Sequence, residues 1–108
     1  MEFRRIVERA AEVRGRYAEM EQARYGRPWT TEELALGFVG DVGDLAKLIV
    51  AESGVRAVPE AREKLAHELA DCLWSVIVLS LACRVDLETA FLRTMNQLDG
   101  FLDNVQPK

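Results

Sequence analysis

A chain of 108 residues, 49% of them apolar, is long enough for one domain with a real core and too apolar for disorder. Its formal charge of −4 argues against a nucleic-acid polymer as partner, because such binders need a basic stripe to displace counterions. A phosphate ligand stays compatible with that charge where metal ions supply the positive field.

Residues 2–25 read as a first helix, with Phe3, Ile6, Val7, Ala10, Val13, Tyr17 and Met20 recurring at steps of three and four. Gly26-Arg27-Pro28 breaks it, and Trp29 falls in the connection. Thr30 or Thr31 suits the N-cap of a second helix over 31–53, with Glu32 and Glu33 in its first turn. Gly37, Gly40 and Gly43 stand inside that helix. Each costs about 1 kcal/mol against alanine, so a neighbouring helix or a ligand is expected close to this backbone.

Ser53 to Pro59 form a short connection, with Gly54 suited to the C-terminal cap and Pro59 to the first turn of a third helix over 59–84. The half of that helix from Cys72 to Cys83 is apolar nearly all round. Such a helix needs cover on every side, more than a lone chain of this size supplies, so an interface in a homo-dimer or homo-tetramer is expected. Asp86 caps a last helix over 86–104, with an apolar stripe from Leu87 to Leu102 and a frayed tail. The fold class is all-α, a four-helix bundle in one domain over 1–108.

The two cysteines lie on one helix, roughly 16 Å apart, and cannot bridge within it. Small buried thiols in a reducing cytoplasm are the plain reading. The N-terminus has no signal-type apolar core, and the longest uncharged run is shorter than the ~20 residues of a membrane span, so no membrane partner is expected.

The chemistry concentrates in two acid pairs. Asp41 and Asp44 are three residues apart on the second helix; Glu68 and Asp71 repeat the spacing on the third. Each pair shares a face and borders the apolar stripe: Leu34, Phe38, Leu45 and Leu48 flank the first, Leu65, Cys72 and Ser75 the second. Acids on a core-facing edge are costly unless paired or metal-bound. Ion pairing with Lys47, Lys64 or an arginine of the first helix is one account. The other is a hard divalent cation, Mg²⁺ most simply or Mn²⁺, held by four converging carboxylates. Trp29 and Trp74 are candidates to stack on a base, although packing is the plainer account of Trp74. His67 is the only histidine, which makes a zinc site a poor fit.

Phe38-Val-Gly-Asp-Val-Gly-Asp-Leu-Ala-Lys47 resembles the first signature of the MazG-like, all-α nucleoside triphosphate pyrophosphohydrolases, commonly Glu-Glu-x-x-Glu, and Glu68-Leu-Ala-Asp71 resembles the second, Glu-x-x-Asp. Cys83-Arg-Val-Asp-Leu-Glu-Thr-Ala-Phe91 is similar to the family's start of the last helix. The similarity spans roughly Trp29 to Met95, and both acid motifs together are specific. Gly40 stands where many members have glutamate, a loss shared with the dCTP pyrophosphatase-like branch. Asp41 and Asp44 replace glutamates, shortening reach by about 1.5 Å each. The basic element that ends the last helix in many relatives is missing, so Lys47, Arg93 or a partner subunit would have to hold phosphates.

The resemblance implies hydrolysis of a (d)NTP to the (d)NMP and pyrophosphate, a house-cleaning of the nucleotide pool. Asp41, Asp44, Glu68 and Asp71 are the implied metal ligands. Asp41, Asp44 and Glu68 carry the catalysis, with either aspartate a possible base. Trp29, Lys47, Trp74 and Arg93 are the substrate-facing candidates. The alternative is a catalytically degenerate, oligomeric nucleotide-binding or interaction protein, which the aspartate replacements and the missing basic element favour.

Overall fold

A computed structural model describes residues 2–54 and 59–105 of the chain. Four α-helices follow one another: α1 Phe3–Tyr25, α2 Thr31–Glu52, α3 Ala61–Ala82 and α4 Leu87–Val105. No strand occurs among the described residues.

The joins follow from local chemistry. Gly26 ends α1 in the left-handed region, φ 82°, and its N–H donates to the Gln22 carbonyl at 3.0 Å. Thr30, not Thr31, caps α2. Its hydroxyl accepts from the Glu33 N–H at 3.2 Å, and the Glu33 carboxylate accepts from the Thr30 N–H at 2.9 Å. That reciprocal pair works only when the acid stands three residues after the cap. Gly54 turns the chain after α2 with φ 85°. The connecting residues 55–58 lie outside the described set, as do Met1 and the tail residues 106–108. Pro59 was expected in the first turn of α3. Instead α3 begins at Ala61, because Glu60 takes a left-handed φ of 57° and so cannot continue a right-handed helix back to the proline. The Asp86 carboxylate accepts from the Thr89 N–H and hydroxyl, at 3.2 and 2.8 Å, and starts α4.

The central helix is α3, paired extensively with α2 and more sparsely with α1. Leu48, Leu65, Ile77, Val78 and Ala10 form the buried apolar core. The Trp74 indole N–H donates to the Ala10 carbonyl at 3.2 Å, and its ring lies 5.5 Å from that of Tyr17, so one side chain ties α3 to α1. By length and composition α3 could cross a membrane, with a mean hydropathy of 1.5 over 18 residues. Here it is the helix that α1 and α2 pack against. Leu69, Leu73 and Leu81 on it nonetheless stay about half exposed. No residue of α4 is buried.

Candidate active site

Pairing α2 with α3 brings the acids together. Asp41, Asp44 and Glu68 each offer a carboxylate oxygen, all within 4.8 Å of one another. Asp71 falls in a second set, with His67 and again Glu68, at the same spacing. The four acids expected in one volume therefore form two overlapping groups that share Glu68. The Ser75 hydroxyl donates to Asp41 Oδ2 at 3.4 Å. His67 Nε2 lies 3.1 Å from Asp71 Oδ2.

Glu68 is the electrostatic centre. Burial, then the charges of Asp71, Asp44 and Asp41, push its carboxyl above the usual carboxylate range, only partly offset by His67. Its Oε2 is buried without a hydrogen-bond partner among the described residues. A buried acceptor beside two more acids lacks positive charge. The donor set is all oxygen and wholly acidic, which fits a hard divalent cation better than zinc or copper. Cys72 stands beside the cluster and stays a thiol, its pKa raised by burial and the neighbouring carboxylates.

Asp41 and Asp71 also line a cavity of about 380 Å³ between α1, α2 and α3. Its walls are aromatic, from Tyr17, Tyr25, Trp29, Phe38 and Trp74. Gly37 keeps the floor low: a Cβ there would stand 4.0 Å from Trp29 Cζ3. The glycine at 37 therefore meets the cavity, whereas Gly40 and Gly43 face open space. Trp29 is 45% exposed at the rim, and Trp74 is half-buried.

One pair of lining residues went unread in the sequence. Arg14 donates to both oxygens of Glu21, at 2.8 and 3.0 Å, and Glu21 also accepts the Trp29 N–H at 2.8 Å. The Arg14 hydrogen bonds, helped by that N–H, hold the Glu21 carboxyl below its ordinary range although burial opposes them. The signal was present: positions 14 and 21 fall in the stripe of Ala10 and Tyr17, two turns apart on one face. Lys47 and Arg93, by contrast, are exposed and are not among the cavity's lining residues. The cation the structure brings to the cavity is Arg14.

Residues 29–101 match the MazG nucleotide pyrophosphohydrolase domain. The chain is 36% identical over 84 residues to rat dCTP pyrophosphatase 1, covering 73% of this chain and 48% of that protein. It is 33% identical over 84 residues to the mouse protein of the same name, with the same coverage. It thus spans about half the length of the curated relatives it matches. The matched segment runs from the tryptophan at the cavity rim to the last turns of α4 and holds both acid pairs, and the chain belongs to the MazG nucleotide pyrophosphohydrolase domain family.

Proposed function

We propose that this chain is a Mg²⁺-dependent nucleotide pyrophosphohydrolase that converts a (d)NTP to the (d)NMP and pyrophosphate, working in the cytoplasm as a homo-dimer or homo-tetramer. The observation that carries the reading is the partnerless buried oxygen of Glu68 among Asp41 and Asp44, at the edge of an aromatic cavity.

Asp41, Asp44 and Glu68 would hold the cation, with Asp71 at its flank; when bound it would neutralise phosphate charge and acidify a water. The protein's own part is positional. Ser75 and the packing of α2 on α3 orient Asp41. Asp44 is the acid most open to solvent and takes the proton of the water that attacks the triphosphate in line. Trp29 and the rings behind it receive the base. Arg14 is locked by Glu21, and the pair forms a fixed, charge-balanced wall of the cavity opposite its acids. Both relatives are named for dCTP, so that nucleotide is the first to test here.

Pyrophosphate release from a panel of NTPs and dNTPs, with and without Mg²⁺, decides the reading. Release should require the metal and fall about 100-fold or more in Glu68→Gln. No release from any nucleotide would sink the catalytic proposal and leave a nucleotide-binding protein.

A further inference from the structure

Trp29 stands in the join between α1 and α2, after the Gly26 turn and directly before the Thr30 cap. A half-exposed ring on such a join would ordinarily move with it. Here two consecutive backbone N–H groups are held by acids from two different helices. The Thr30 N–H donates to Glu33 of α2 at 2.9 Å, and the Trp29 N–H donates to Glu21 of α1 at 2.8 Å. The ring itself lies against a bare stretch of α2, its Cζ3 4.0 Å from the place of a Cβ at Gly37.

The Glu33 half of this clamp is helix capping. The Glu21 half asks for another reason. Its side chain is 4% exposed, and that of its partner Arg14 is 17% exposed. A buried ion pair is a poor device for stability, because drawing both charges out of water offsets most of their attraction. Apolar residues of the same volume would fill the space as well. They could not accept the N–H of Trp29. The carboxylate is set up for that bond: Oε1 receives two donors, Arg14 Nη2 and the Trp29 N–H, while Oε2 receives Arg14 Nη1 alone. The two arms of Arg14 fix the plane of the carboxylate, and Oε1 meets the backbone of Trp29.

We propose that Glu21 is a positioning residue for base recognition: held by Arg14, it sets through the Trp29 N–H where the Trp29 ring stands at the cavity rim. The inference rests on the reading that Trp29 receives the base. It gives α1, which carries neither acid motif, a part in binding the base and none in binding the phosphates.

Titration calorimetry with Mg²⁺ separates the two ends of the substrate. One probe is the α,β-imido analogue of dCTP, which resists cleavage; the other is inorganic tripolyphosphate, which has no base. Glu21→Asp withdraws the carboxylate by about 1.5 Å, so that the flexible Arg14 can follow it and the Trp29 N–H cannot. Glu21→Gln keeps the reach, and its amide oxygen takes the Oε1 place, where two donors converge. Glu21→Asp should weaken the nucleotide analogue about tenfold, and Glu21→Gln should restore it to within about threefold of wild type. Tripolyphosphate should bind all of them alike. Trp29→Ala should lose at least as much nucleotide affinity as Glu21→Asp. Should Glu21→Asp not fold, Arg14→Met/Glu21→Leu, which leaves no buried charge unpaired, decides in its place by the same loss of nucleotide alone. Parallel loss of both ligands, or weaker nucleotide binding in Glu21→Gln than in Glu21→Asp, makes the pair a brace for the fold and overturns the proposal. Unchanged nucleotide binding in Trp29→Ala overturns it differently, by removing the base reading beneath it, and leaves the pyrophosphate assay untouched.

Discussion

Buried Glu21 and half-buried Glu68 stand in opposite circumstances. Glu21 has every acceptor used, by both arms of Arg14 and by a backbone N–H. Glu68 has an oxygen with no partner and three acids nearby. Glu21→Ala strands a nearly buried guanidinium, so urea melts should show a loss of about 3 kcal/mol. Because the Glu21 pKa is lowered on folding, its contribution is complete above the unfolded value near 4.5 and fades as pH falls through the folded one. The destabilisation measured for Glu21→Ala should accordingly shrink in acid. Glu68→Gln removes a charge that nothing compensates. Without metal it should raise stability by about 1 kcal/mol, and it should erase any Tm increase that Mg²⁺ gives wild type. Glu68 was legible because acids three residues apart interrupt an apolar stripe. Glu21 was legible only in part: Arg14 shares its helix face two turns back, but the Trp29 N–H reaches it from beyond a glycine turn, a path that periodicity does not trace.

The helices themselves were written in spacing and caps, and the start of α2 shows how finely. Thr30 and Thr31 compete on propensity alone; Glu33 decides for Thr30 by completing the reciprocal bonds. Arg27 adds bonds of 2.6 and 3.2 Å to the same carboxylate. Together, Arg27 first, they bring the Glu33 pKa down to about 2. Thr30→Ala should cost about 1 kcal/mol in chemical denaturation. The cap's electrostatic part should hold above pH ~4.5 and disappear as pH approaches the folded value of about 2. The start of α3 was less legible. Glu60 and Arg84 adopt φ of 57° and 58°, and no glycine stands there to announce a left-handed residue.

Across the whole molecule, the four-helix order and the family's two acid motifs could be read directly, while the cavity could not. It is built by α1, which carries no motif, leaning over residues that α2 and α3 contribute. The second half of α3 reads as apolar nearly all round, yet Leu69, Leu73 and Leu81 on this helix stay about half exposed in the single chain. The same cavity carries a built-in lamp. Its rim holds one of the chain's two indoles in water, Trp29, while the other, Trp74, already donates its N–H to the Ala10 carbonyl beside the Tyr17 ring. In Trp74→Phe, fluorescence would come from Trp29 alone. A nucleotide that dries the rim should then shift emission to the blue, so occupancy can be followed by ultraviolet fluorescence rather than by turnover, even in a Glu68→Gln protein that releases no product.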